Sequence, residues 1–235
     1  CVQQEWDHKE DPRYPGSMDF DWEYNWKLTC GCIRGVLEQS GISPADIAAI
    51  STTCMREGIV LYDREGNEIW ACANVDARSD DEVAQLVHMN PELEKQIYRE
   101  SGQTYALGAL PRLFWVKNKM PEVYEKTAMC TMFNDWLIYK MTGVFSSEPS
   151  NACTTGIFDL KARDWDDQIA ASIGLKTGIF PKISECGTVV AQEKMQVLER
   201  LITDALQIEQ YDFASLVYVR VLLEAEAIKL CARNR

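Results

Sequence analysis

The stretch from Ile47 to Arg78, IAAISTTCMREGIVLYDREGNEIWACANVDAR, constrains the fold more than any other part of this chain. An apolar run, Ile47-Ala48-Ala49-Ile50, leads into small polar residues. A second run, Gly58 to Tyr62, is cut by Asp63-Arg64-Glu65-Gly66-Asn67 before a third begins at Glu68. Short apolar runs parted by a Gly/Asn turn read as strands, with the second and third closed into a hairpin. Arg56 and Glu57 interrupt this pattern as adjacent opposite charges between Cys54-Met55 and Gly58-Ile59. Charge in an apolar strand is costly unless satisfied, so these two side chains require a partner. A hydroxyl-rich ligand fits that requirement, because guanidinium donates and carboxylate accepts. An ion pair at a strand end meets it equally well.

The rest of the chain alternates between helical and strand patterns. Cys1 to Trp6 alternates like a strand. Asp21 is placed to cap a helix carrying Trp26, Leu28, Cys30, Ile33 and Leu37, which Gly41 ends. Ser43-Pro44-Ala45-Asp46 forms a further short cap, with Pro at its first position. Beyond Arg78 the spacing predicts helices over Ser79 to Val87, Pro91 to Tyr98 and Ala109 to Lys119, the last with Leu110, Leu113, Phe114 and Val116 inward. A short helix from Pro121, a strand over Ala128 to Met132 and a helix over Asp135 to Met141, stopped by Thr142-Gly143, follow. The alternation argues for an α/β architecture.

Composition excludes several classes of function. With 46% hydrophobic and 26% charged residues the chain can build a core and is not disordered. Its formal charge of −12 repels phosphate backbones, which argues against a nucleic-acid partner. No apolar stretch is long enough to span a membrane, and the N-terminus lacks the pattern of a secretion signal. The nine cysteines lack metal-ligand spacing, and Cys54, Cys72, Cys130 and Cys231 sit among apolar neighbours. They read as buried structural thiols in a reducing cytoplasm. His8 and His88 are isolated from any candidate nucleophile or ligand.

Met55-Arg56-Glu57-Gly58-Ile59-Val60-Leu61-Tyr62, followed by Ile69-Trp70-Ala71-Cys72-Ala73-Asn74-Val75-Asp76-Ala77-Arg78, resembles the autoinducer-2 kinase branch of the FGGY carbohydrate-kinase family. The similarity runs from about Glu5 to about Ala191. Members carry an Arg-Glu or Met-based pair on a core strand, then a strand ending in an Asp-Arg-Arg type motif. The resemblance implies an α/β, ribonuclease-H/actin-like ATPase domain over residues 1–191, the substrate-binding N-terminal domain of such a kinase without its first strands. Arg56 and Glu57 would orient substrate hydroxyls, with Asn74, Asp76 and Arg78 beside them; for the last three, capping of the helix at Ser79 is the competing role. Ser150-Asn151-Ala152-Cys153-Thr154-Thr155-Gly156 resembles a turn near the family's cleft, whose side chains either contact ligand or satisfy one another. Asn134-Asp135-Trp136-Leu137 reads as a helix cap with a core tryptophan.

The function so implied is transfer of the γ-phosphoryl of ATP, with Mg²⁺, to a primary hydroxyl of a small polyhydroxylated ketone or sugar. For this branch the substrate is the dihydroxypentanedione form of the quorum-sensing signal autoinducer-2. The family's Asp-Gly-Thr phosphate loop and Gly-Gly-Asp catalytic motif match no position in the chain, so the expectation is an incomplete, inactive kinase. Two other readings stay open: a non-catalytic polyol-binding or protein-interaction module, and a xylulose, glycerol or gluconate kinase. Residues 192–235 depart from the family. Met195, Leu198, Leu201, Ile202, Ala205 and Leu206, then Leu216, Val217, Val221, Leu222, Leu223 and Ile228, recur at helical spacing and predict a helical C-terminal segment.

Overall fold

The hairpin expected around Asp63 forms the centre of the fold. In the computed structural model, which describes residues 1–6, 9–106 and 108–191, strand β1 (Ile59–Tyr62) pairs antiparallel with β2 (Glu68–Cys72). The turn between them is closed by Asp63, whose Oδ1 accepts from the backbone N–H of Glu65 and Asn67 at 3.0 and 2.9 Å. Helix α1 (Trp22–Ser40) precedes the hairpin. After it come α2 (Asp80–Met89), α3 (Leu93–Ser101), α4 (Ala109–Lys119) and α5 (Pro121–Lys126). Strand β3 (Met129–Met132) then returns to pair antiparallel with the free edge of β1, giving the sheet order β2-β1-β3.

All four residues of β1 are buried, and their alternation divides the core in two. Ile59 and Leu61 pack with Leu86, Leu93, Ile97, Leu110 and Leu113 from α2, α3 and α4. Val60 and Tyr62 pack with Cys30 and Ile33 of α1 and with Trp136 and Leu137 of α6 (Phe133–Thr142). A strand whose successive side chains enter opposite apolar layers must read as a continuous hydrophobic run, which explains why β1 shows no polar alternation. The α/β/α layering is the expected class of architecture. Chain segments near Asp19 extend the sheet beyond β2 through the Ala73 N–H to Met18 carbonyl bond, 2.8 Å.

The helix ends follow the residues that cap them. Asp21 Oδ1 accepts from Tyr24 N–H at 2.9 Å, and Gly41 terminates α1 in the left-handed region. Beyond α6 the chain forms β4 (Ser146–Ser147), α7 (Pro149–Ala152), β5 (Phe158–Asp159), β6 (Asp164–Trp165), α8 (Asp167–Ser172) and β7 (Lys182–Ile183). Strands β4 and β7 pair in parallel, and β5 and β6 pair antiparallel.

Two strand expectations fail. Residues 1–6 are not in a strand: Trp6 is buried against Phe20, and the side chain of Val2 lies over Gly35 of α1. The Ile47 run is irregular and unpaired, for beyond the Ile47 N–H to Pro44 carbonyl bond no backbone group from 48 to 56 bonds to another backbone group among the described residues. Apolar composition favours a strand, but a ladder also needs a neighbour. The helical segment expected over 192–235, and His8, lie outside the described residues. No helix among the described residues is long and apolar enough to cross a membrane.

Candidate functional site

Two chain passes carry the site residues expected from sequence, and a residue outside the expected set joins them. Arg112, on α4, is 1% exposed and spans the interior. Its Nη1 donates to the carbonyl of Glu57, and its Nη2 donates to the carbonyls of Asn74 and Asp76 at 2.8 and 2.9 Å. A guanidinium suits this task because its donors are fixed in a planar fork. The backbone at Glu57 is left-handed, with φ of 80°, and the next residue must be glycine: a Cβ on Gly58 would lie 2.5 Å from the Phe133 ring. Arg112 thus holds a backbone conformation that a glutamate disfavours.

Asp76 and Arg78 form a closed, buried unit. Arg78 Nη2 lies 2.7 Å from Asp76 Oδ2, and Arg78 Nε donates to the same oxygen at 2.8 Å. Asp76 Oδ2 also accepts from Met18 N–H at 2.5 Å, while Arg78 Nη2 reaches Asp19 Oδ1 at 2.5 Å. The Arg78 guanidinium stands 5.3 Å from the Trp70 ring and 5.1 Å from the Trp115 ring, within range of a cation–π contact with each. Burial opposes its charge, but the carboxylates of Asp76 and Asp19 outweigh that and raise its pKa. Neither residue caps α2, whose Ser79 N-cap makes no side-chain hydrogen bond.

Asn74 differs from its neighbours. Its carbonyl is held by Arg112, but its side-chain Oδ1 is enclosed without a hydrogen-bond partner among the described residues. Arg56 and Glu57 occupy a turn after the irregular 47–54 segment instead of a strand, and no ion pair joins them. Arg56 is exposed and Glu57 is half-buried. The expectation of a mutually paired clamp on a strand therefore gives way to a turn fixed through its backbone, with the Arg56 side chain left to reach outward. It lies on the wall of a cavity of about 1120 Å³ that also touches Asn134, Ser147, Glu148, Ser150 and Asn151.

Asp135, in the first turn of α6, stands behind that wall. Its Oδ2 accepts from Met132 N–H at 3.2 Å, closing the helix start from the third helical position and not as the N-cap that the sequence implied, and its Oδ1 accepts from Asn151 Nδ2 at 3.4 Å. Burial pushes its pKa up to about 7, although the Met132 N–H and the Ser147 and Asn151 side chains pull it down; the Glu148 charge raises it further. The Ser150 to Gly156 turn is largely self-satisfied: Thr154 and Thr155 hydroxyls donate to the carbonyls of Asn151 and Ala152.

The described residues do not fit a metal–nucleotide group. No three His, Cys, Asp or Glu side chains converge to hold a cation among them. The charged residues of the cavity are Arg56, Glu148 and Glu185, a balance unsuited to a triphosphate.

An antiparallel sheet with helices packed on both faces, and a buried Asp-Arg unit at the end of β2, defines a domain of the α/β class. Solved sugar kinases share this fold. The ligand-bound xylulose kinase from Lactobacillus acidophilus superposes with a TM-score of 0.72 at 21% identity, over 83% of this chain and 39% of that one. Plasmodium falciparum glycerol kinase with ADP gives 0.66 at 20% identity, over 81% and 40%. The sequence profile of the FGGY family of carbohydrate kinases, N-terminal domain, matches residues 2–205, and the chain belongs to that family. It is 46% identical over 198 residues to the autoinducer-2 kinase of Escherichia coli K12, covering 84% of this chain and 37% of that protein. To the autoinducer-2 kinase of Enterobacter sp. strain 638 it is 47% identical over 189 residues, covering 80% and 36%. The chain thus spans little more than a third of the length of these curated relatives.

Proposed function

We propose that this chain is the substrate-binding part of a cytoplasmic FGGY kinase that transfers a phosphoryl group from Mg-ATP to a primary hydroxyl of autoinducer-2. The observation that carries the reading is the convergence on Arg112 of the Glu57 and Asn74–Asp76 backbones, the two motifs through which the chain resembles that branch. Arg56, on the cavity wall, supplies donors to keto and hydroxyl oxygens, and Glu57, adjacent in the same turn, a carboxylate that accepts from hydroxyls; Asn74 lies outside the cavity lining with its Oδ1 enclosed. Asp76 and Arg78 act one step back, since their hydrogen-bonding capacity is spent on each other, on Asp19 and on Met18. Their part is to hold the Asn74 loop.

Phosphoryl transfer requires a phosphate cradle, an aligned acceptor and a carboxylate to take the hydroxyl proton. The described residues supply the alignment. A second reading, a polyol-binding module without catalysis, is favoured by the cavity's lack of triphosphate donors. Titration calorimetry of the whole chain with dihydroxypentanedione, xylulose, gluconate and glycerol, with ADP release followed in parallel, separates the readings. Binding that prefers dihydroxypentanedione, without turnover by this chain alone and with turnover restored by the remaining portion of an autoinducer-2 kinase, is the expected result. A preference for xylulose, gluconate or glycerol overturns the substrate assignment. Binding with no restoration points to the module.

A further inference from the structure

Two buried charged side chains, Arg112 and Glu82, belong to no ion pair among the described residues. The fork of Arg112 is filled by the carbonyls of Glu57, Asn74 and Asp76, all of them neutral. Its remaining donor, Nε, is enclosed and has no hydrogen-bond partner among the described residues. Glu82, in the first turn of α2, is fully buried, and both oxygens of its carboxylate are likewise enclosed and unpartnered. An ion taken out of water without a counter-charge or a full set of hydrogen bonds is far more costly than an unmet neutral group, so two opposite ions in one core call for each other.

The fold brings their helices together at the right ends. Helix α2 packs on α4, and the bond from Arg112 Nη2 to the Asp76 carbonyl ties α4 to the segment that runs through Arg78 and Ser79 into α2. Arg78, at the head of that helix, holds its guanidinium 5.1 Å from the ring of Trp115, which shares a face of α4 with Arg112 three residues earlier. One turn beyond Glu82 on the buried side of α2 is Leu86, which enters the core with Leu110 and Leu113 of α4. Glu82 thus faces the layer between the two helices from which Arg112 also extends. Between one unmet N–H and two unmet carboxylate oxygens, a single water completes every bond: its oxygen accepts from Nε and its two protons go to Oε1 and Oε2. A cation there would leave Nε unmet and face the guanidinium, and an anion would face the carboxylate.

We propose that Glu82 is the counter-ion of Arg112, joined to it through one enclosed water, and is thereby a positioning residue for the Glu57 turn and the Asn74 loop. The two Nη groups can hold three carbonyls only while the guanidinium plane is fixed, and the water-bridged carboxylate fixes it at Nε. Glu82 therefore acts on the loops from the far side of Arg112, without touching either. The inference rests on the proposed function only where these loops are taken to meet substrate.

Arginine side-chain NMR of the whole chain tests the bridge without any ligand. In the parent, the Arg112 Nε–H is expected to exchange slowly and to show cross-relaxation with a long-lived water. In Glu82→Gln its exchange should quicken by at least about tenfold, while the Arg78 Nε–H, held by Asp76, stays as it was. Glu82→Asp, which keeps the charge, should recover part of the protection. A parent Arg112 Nε–H that exchanges freely, or that shows no bound water, overturns the proposal even where every Glu82 variant fails to fold. An Arg112 signal unchanged in Glu82→Gln overturns it too, and so does loosening of Arg78 and Arg112 together, which makes Glu82 a general packing residue. Calorimetry with dihydroxypentanedione reads the link to the loops: affinity should fall about fivefold in Glu82→Gln and return toward the parent value in Glu82→Asp. Equal affinity with and without the Glu82 carboxylate overturns the positioning role. A parent that shows the bridge yet never binds dihydroxypentanedione keeps Glu82 as the counter-ion and removes only the substrate assignment.

Discussion

Nη2 of Arg112 donates to the backbone carbonyl of Asp76 at 2.9 Å, while the carboxylate of Asp76 faces the other way to Arg78 and to Met18 N–H. One aspartate therefore links two buried arginines, one through its main chain and one through its side chain. The loop from Asn74 to Arg78 is held from both sides.

Arg112→Met should leave the carbonyls of Glu57, Asn74 and Asp76 buried and unmet. At about 1 to 3 kcal/mol for each such group, the loss of unfolding free energy should be at least about 3 kcal/mol. Arg112→Lys should recover only part of it, because an ammonium lacks the planar fork. Urea denaturation of the two variants measures this, and equal stability of Lys and Met variants would contradict it.

Asp76 and Asp19 both contact Arg78, but their side chains are 0% and 45% exposed. Asp76→Asn strands a buried cation and should cost about 3 to 5 kcal/mol. Asp19→Asn should cost under about 1 kcal/mol, since water screens the pair and can replace the lost partner. Comparable losses for the two would show that the burial of Asp76 does not govern the interaction.

Arg56 is exposed and pairs with no carboxylate among the described residues, so Arg56→Ala should leave stability within about 0.5 kcal/mol of the parent. Loss of a charged donor to a hydroxyl should nonetheless weaken polyol binding by about 1.5 to 3 kcal/mol, roughly 10- to 150-fold in Kd. Calorimetry with dihydroxypentanedione reads the second effect and thermal unfolding the first. Unchanged affinity would remove Arg56 from the site.

Asp135 sets a pH dependence opposite to that of ordinary paired carboxylates. Its pKa in the folded chain is about 7, against a reference value of 3.8, so between these values the unfolded chain has released a proton that the folded chain retains. Stability from this group is fully present below about pH 4, falls as pH rises and levels off above about pH 7, a change on the order of 4 kcal/mol. Asp135→Asn keeps the shape without the charge, and rotation of the Asn151 amide lets its unpartnered Oδ1 accept the new N–H. The difference in unfolding free energy between variant and parent should therefore grow from acid to neutral pH. A constant difference would mean that Asp135 does not titrate in this range.

Local order was legible in the residues themselves. Asp21 and Gly41 bound α1, the Asp63 turn closes the hairpin, and α4 runs over the residues that its apolar spacing marks out. These features depend on neighbours a few positions apart, where capping groups, turn dihedrals and side-chain periodicity act directly. The motifs at 55–62 and 69–78 likewise carried the family, which the match over residues 2–205 establishes.

What only the tertiary structure decided is where long-range partners lie. Arg112, alone among apolar residues of a helix, gives no local sign that it will serve two loops 36 and 55 residues away. Arg56 and Glu57 look like a pair because they are adjacent, yet one is exposed and the other is fixed through its carbonyl. Asp135 is recognisable as a helix cap, but its raised pKa comes from burial beneath α7 residues that sequence distance hides. The Ile47 run has strand composition without a strand, because a β-ladder is a property of two segments and sequence describes one at a time.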